Sequence, residues 1–271
     1  MSEDLKQNLF EVIKMLEEYL PYIVLGGGWA SLIYYQYLWG ENDKFPIQTY
    51  DYDLIVKNEI PESAQGKLIN KLAQFGLKPN YTPITDTPVG QFEGEIDGVL
   101  VSIEFLTYAG YERSKPSIEV QTGIWAQTLE YLNINIENKI PIVIDMAGKK
   151  LTIWVPKPEA FIFNKGLIFT RRIGDIKKAK DLYYIYDILS FKDSQRINIV
   201  DEVKELAATY HPKWFRTFKD NLSKYFIEEP KNGIILVFSQ IPSNTFKDSN
   251  ADQIKNQIEY IFKTFITDLE T

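Results

Sequence analysis

The sequence predicts an α+β protein, in which a mixed β-sheet flanked by helices occupies residues 1–155 and a mainly helical region occupies 156–271. Three observations carry that expectation. Short apolar runs of strand length alternate with helical periods as far as Pro156-Lys157-Pro158. Helical spacing dominates beyond that proline pair. A glycine triplet, Gly26-Gly27-Gly28, separates the first short apolar run from the helix after it.

Taken in order, Leu5, Leu9, Ile13, Leu16 and Leu20 recur at helical spacing and predict a helix over 4–19 that Pro21 ends. Tyr22 to Leu25 reads as a strand, the glycines as a turn, and Trp29 to Trp39 as a second helix. Gln48 to Val56 reads as a strand, followed after Pro61 by a helix to about Phe75 and by short strands near 77–82, 91–96 and 99–106. Segment 110–150 alternates extended runs with polar turns, and Lys150 to Val155 adds a strand before the boundary. Helices are then expected over 157–172, 175–190, 196–209 and 250–269. Periodicity leaves 231–239 open between a buried helix turn and a lone strand.

Composition excludes several kinds of chemistry. With no cysteine, thiolate zinc sites, iron-sulfur clusters, disulfides and cysteine nucleophiles are impossible. The single histidine, His211, makes a serine-histidine triad or a multi-histidine metal site improbable. No run approaches the roughly 18–20 apolar residues that cross a bilayer, and the first residues form an acidic amphipathic pattern unlike a signal peptide, so the expected location is cytoplasmic with no membrane partner. Thirty basic against thirty-seven acidic residues give a net charge of -7, which argues against bulk DNA binding.

The chemistry-bearing pattern is QTYDYDLIV. Asp51 and Asp53 are two apart on a predicted strand, so both carboxylates leave one face while Tyr52 and Leu54 leave the other. Like charges held that close repel unless a cation lies between them. Oxygen-only ligands favour magnesium or manganese, which bind through one or two carboxylates plus substrate phosphates. A third carboxylate from a neighbouring strand is then expected. Glu104, in the apolar run LVSIEFL with Ser102 on its own face, is preferred over Asp97 and Asp145, both of which stand near glycine turns. Gly27 and Gly28 offer backbone NH groups to phosphate, and Ser31 a hydroxyl in the next turn.

An Asp-x-Asp strand alone is common on solvent faces, and a glycine triplet is usually only a turn. Their combination with a later strand-borne acid, in this order, is more specific. LGGGWA followed by QTYDYDLIV resembles the DNA polymerase beta-like nucleotidyltransferase superfamily, and KKLTIWVPKPEAFIFNKGLIFTRR with KKAKDLYYIYDIL resembles bacterial abortive-infection toxins and related minimal nucleotidyltransferases, over about residues 20–190. The resemblance implies that Gly27 and Gly28 hold phosphates, that Asp51, Asp53 and Glu104 are catalytic metal ligands, and that Lys165 contacts a nucleoside triphosphate. Arg172, seven positions from Lys165, shares that anion-binding role on the predicted helix face. Lys180-Asp181 reads as structural, an ion pair or helix-end contact. Two positions depart from the family pattern: Ile47, where arginine is frequent, and Trp29, where a small residue is usual. Trp29 either narrows the cleft or stacks on a base, and Tyr34, Tyr35 and Tyr37 are expected to pack their helix on the sheet.

The implied function is metal-dependent transfer of a nucleoside monophosphate from a triphosphate to an acceptor hydroxyl, with magnesium or manganese as cofactor. The acceptor stays open between a protein, a tRNA end seated by the basic stretch RRIGDIKKAK, and a small molecule. Membership of a toxin-antitoxin pair is one biological setting. A catalytically silent nucleotide- or protein-binding module on the same fold is the alternative.

Overall fold

The computed structural model describes residues 3–41, 49–57, 59–64, 66–80, 90–108, 110, 115–146, 148–191, 196–242 and 250–271. Ile47, Gln48 at the start of the expected strand, and positions 81–82 at the end of the expected extended run lie outside them. The chain divides into two compact units, Met1–Lys157 and Pro158–Thr271.

In the first unit, α1 (Glu3–Met15) buries Leu5, Leu9, Val12 and Ile13. The helical pattern continues past it as a tighter 3-10 segment, Glu17–Tyr22, which contains Pro21 instead of stopping before it. Strand β1 (Ile23–Leu25) leads through Gly26 into α2, Gly27–Ile33, extended by a π-turn at Tyr34–Leu38. The helix therefore starts two residues earlier than expected, inside the glycine triplet. Then come β2 (Asp51–Val56), α3 (Leu68–Gln74), β3 (Lys78–Pro79), β4 (Gln91–Ile96) and β5 (Val99–Tyr108). The segment read only as alternating extended runs holds β6 (Ser117–Gln121), β7 (Ile124–Leu129), the short α4 (Asn133–Glu137) and β8 (Lys139–Met146), before β9 (Lys149–Pro156) closes the unit.

These strands form one mixed sheet in the order β3-β4-β5-β2-β1-β9-β8, with β7 against the far half of β5 and β6 beyond it. Alternation divides β2 and β5 between two environments. Tyr52, Leu54, Ile103 and Phe105 are buried on one face. On the other, Asp51, Asp53, Ser102 and Glu104 are exposed or half-buried. Further along that polar face Ile55 and Leu106 join Val24, Leu132 and Ile136 in a small apolar cluster, so α4 seals the floor just past the acids.

The second unit is helical: α5 (Pro158–Ile168), α6 (Asp175–Phe191), α7 (Arg196–Ala208), α8 (Pro212–Ser223), α9 (Pro230–Gln240) and α10 (Ala251–Asp268). Segment 231–239 is thus helix. Helix α5 is buried continuously from Ala160 to Leu167, because α6, α7 and α8 all pack on it. It ends at Ile168, a 3-10 turn covers Phe169–Arg171, and Arg172 is extended, so the single helix expected over 157–172 stops short. His211 caps α8, its Nδ1 accepting from the Lys213 NH at 3.1 Å.

Candidate active site

The polar face of the sheet is built by register. Strands β2 and β5 run parallel with Asp51 opposite Ser102 and Asp53 opposite Glu104. Adjacent strands lie about 4.8 Å apart, so the Asp53 and Glu104 side chains rise from neighbouring positions. Strand β4 extends both rows, placing Gln91 opposite Glu104 and Glu93 opposite Ser102. The Gln91 amide donates to Ser102 Oγ at 3.0 Å and to Glu93 Oε1 at 3.2 Å, tying the two rows together. Gln91 was not singled out in the sequence, since only cross-strand register reveals its place.

The two other acids weighed for the third position serve turns. Asp97 occupies the left-handed region, with φ 52°, in the β4–β5 turn. Asp145 Oδ1 accepts from the Gly148 NH at 2.8 Å in the turn between β8 and β9.

The glycine turn lies directly against this acid row. Strand β1 pairs with β2 only as far as Leu25 opposite Leu54, after which the Gly26 NH donates to the Asp53 carbonyl at 2.8 Å. Residues 51–53 therefore have a strand on the β5 side and the turn with α2 on the other. Gly27 adopts φ +58°, and a Cβ there would stand 2.0 Å from Asp53 Oδ2. Only glycine lets the backbone come this close to the carboxylate. Gly28 follows in the first turn of α2, and Ser31 behind it is fully buried.

Behind the acids, Tyr52 stacks on Trp29 with ring centroids 4.7 Å apart and planes at 19°. Its hydroxyl donates to Asn8 Oδ1 at 2.7 Å, and the Asn8 amide reaches the Ile96 carbonyl at 3.4 Å. Burial raises the Tyr52 hydroxyl well above its ordinary pKa, so the phenol stays protonated. Trp29 is thus a core residue on a tyrosine, and its indole NH is buried with no hydrogen-bond partner among the described residues. Tyr34 and Tyr35 are buried and pack on Trp39, whereas Tyr37 is half-buried.

Lys165 and Arg172 belong to the second unit, and both turn toward Asp181. Lys165 Nζ lies 2.6 Å from Asp181 Oδ1 and Arg172 Nε 2.7 Å from Oδ2. Lys165 also sits over the Phe161 and Tyr184 rings at 5.4 and 5.6 Å. Lys180-Asp181 reads from sequence as structural, an ion pair or helix-end contact; Asp181 is in ion pairs, and its partners are the two cations singled out for anion binding.

Oxygen donors alone line the acid row, which suits a hard divalent cation. Among the described residues no three His, Cys, Asp or Glu side chains are gathered into a metal cage. Asp51, Asp53 and Glu104, expected as a three-carboxylate ligand set, thus share one sheet face without forming such a cluster.

A mixed sheet with paired carboxylates beside a glycine turn, followed by a helical unit, is the architecture of a nucleotidyltransferase. Residues 7–208 match the model of a family described as Nucleotidyltransferase, and the chain belongs to that family. Nucleotidyl transfer from a nucleoside triphosphate is accordingly its class of reaction, one that generally uses divalent metal. No curated protein matches the chain. Among solved structures it is similar to an antigenic nucleotidyltransferase-like protein from Paracoccidioides brasiliensis, at 15% identity and a TM-score of 0.43, over 80% of this chain and 93% of that one. No helix among the described residues is long and apolar enough to cross a membrane.

Proposed function

We propose that the chain transfers a nucleoside monophosphate from a nucleoside triphosphate to an acceptor hydroxyl in a magnesium- or manganese-dependent reaction centred on Asp51, Asp53 and Glu104. The observation that carries this reading is the pairing of Asp53 with Glu104 on adjacent parallel strands, with Gly27 packed against the Asp53 carboxylate. Gly27 and Gly28 present backbone NH groups to the triphosphate, with Ser31 behind them in the same helix. Lys165 and Arg172 are the anion contacts that the resemblance implies, and within the second unit both pair with Asp181.

In the reaction the acceptor oxygen bonds to the α-phosphorus, the bond to the bridging oxygen breaks, and pyrophosphate leaves. Glu104 takes the acceptor proton. Asp51, Asp53 and Glu104 would hold a divalent ion, which when bound would supply Lewis-acid activation of that hydroxyl and neutralise leaving-group charge. Asp51 and Asp53 would orient the triphosphate through that ion, and the NH groups of the glycine turn hold the phosphate chain.

The test offers each radiolabelled triphosphate with magnesium to the protein together with total RNA and cell lysate. Labelling should appear in one acceptor class (protein, tRNA or small molecule) with release of pyrophosphate. Asp53→Asn should abolish it while leaving the circular dichroism spectrum and melting curve nearly unchanged; labelling at the parental rate would remove Asp53 from the site. Heat stabilisation by triphosphate without any pyrophosphate would instead favour the silent binding module. A toxin role is tested separately, by growth arrest on expression that Asp53→Asn relieves.

A further inference from the structure

We propose that Trp29 is a positioning residue, whose stack on Tyr52 holds the glycine turn against Asp53 and thereby sets triphosphate affinity without contributing to metal binding. The inference rests on the reading of the glycine turn and acids given above. Tyr52 lies between Asp51 and Asp53 in sequence but on the opposite face, so its ring is anchored to the strand that carries both acids. Trp29 lies in the first turn of α2, two residues after Gly27. Their rings, 4.7 Å apart, therefore join the two halves of the site from behind.

Two further contacts join those halves at the level of the acids: the Gly26 NH bond to the Asp53 carbonyl, and the close approach of Gly27 to the Asp53 carboxylate. Strand β1 has already left β2 at this level, so no ladder holds the turn in place. The stack constrains the turn from the buried face, and Trp29 keeps its place although its indole NH is buried with no hydrogen-bond partner among the described residues. Asp53 and Glu104, by contrast, are fixed by six residues of β2–β5 pairing and do not depend on Trp29.

This division gives a split that general destabilisation does not produce. In Trp29→Leu, affinity for inorganic tripolyphosphate with magnesium, measured by calorimetry, should fall about tenfold or more, while Mn2+ binding to the protein alone, followed by electron paramagnetic resonance, should stay within about twofold of the parent. Trp29→Phe, which restores a stacking ring, should recover tripolyphosphate binding. Tyr52→Leu should behave like Trp29→Leu, and the double variant no worse than either. If Trp29→Leu melts below assay temperature, Trp29→Met provides the same comparison with a larger side chain that carries no ring.

Parental tripolyphosphate affinity in the stack variants, a parallel loss of Mn2+ binding, or additive effects in the double variant would overturn the proposal. Failure of the underlying reading looks different: Asp53→Asn would then bind Mn2+ as well as the parent, whatever Trp29 does.

Discussion

Gly27 and Asp53 occupy the same few ångströms, and that contact governs what either position tolerates. An alanine at 27 would hold a left-handed conformation that costs a side-chain-bearing residue about 1–2 kcal/mol. Its Cβ would also stand 2.0 Å from Asp53 Oδ2, so the turn or the carboxylate must move. Misplacement of about an ångström can cost about 100-fold in rate. Gly27→Ala should therefore lose about 100-fold in nucleotidyl transfer with a modest fall in melting temperature, and turnover like the parent's would show that the contact is not needed.

Asp181 is the second residue whose neighbours decide its importance. It is buried between Lys165 and Arg172, with side-chain exposure of 4% against 9% and 29%. Removing one partner of a buried ion pair leaves an uncompensated charge and costs about 3–5 kcal/mol. Asp181→Ala should lower unfolding free energy by that order in urea titrations. Lys165→Met in the same chain should recover part of the loss, because the orphaned ammonium is gone; a double variant as unstable as Asp181→Ala would contradict the pairing.

Among elements, α5 shows how packing fixes chemistry. Its face at Gly166 meets Phe218 of α8 so closely that an added Cβ would stand 2.3 Å from the ring. Phe218 is itself fully buried and touches Phe163 and Phe265, which leaves it little room to yield. Gly166→Ala, although favourable to helix propensity, should therefore destabilise by about 1–3 kcal/mol through overpacking. A higher melting temperature would mean that the helices separate freely at this point. On β5, length is the telling feature: its first half pairs with β4 and its second with β7, which leaves Glu104 flanked by Asp53 on one side and Gln91 on the other.

For the molecule as a whole, buried tyrosines set the alkaline limit of stability. Burial pushes Tyr186 up to about 12 and Tyr183 further, with Asp187 nearby opposing the phenolate in both. Tyr52 in the first unit is raised as well. An unfolded tyrosine releases its proton near pH 10, whereas these folded ones keep theirs, so the unfolded chain binds fewer protons as pH rises past 10. Their contribution is complete below about pH 10 and is lost as pH climbs through the folded values. The urea midpoint should stay level up to about pH 10 and fall between there and about 12, with phenolate absorbance appearing together with unfolding; a midpoint unchanged to pH 12 would contradict the burial.

Local periodicity made the acid pair legible. Asp51 and Asp53 share a face because strand side chains alternate, and Ser102 and Glu104 share theirs for the same reason. Likewise β1, the glycine turn and the helical character of the second half were readable from short-range pattern. His211-Pro212 is a helix-start signal ahead of α8, yet that helix was not among those expected. Boundaries shifted where tertiary contacts overrode propensity, as at Pro21 and at the end of α5.

Sequence by itself limited the donor chemistry: without cysteine and with a single histidine, oxygen atoms are the donors this chain has for a cation. What the tertiary structure alone decided is which residues meet. Asp53 faces Glu104 across 51 positions, and Asp181 meets Lys165 across 16, through strand register and helix packing that no local pattern encodes. Trp29 rests on Tyr52 for the same reason: burial selects neighbours by shape in three dimensions, while propensity acts only along the chain.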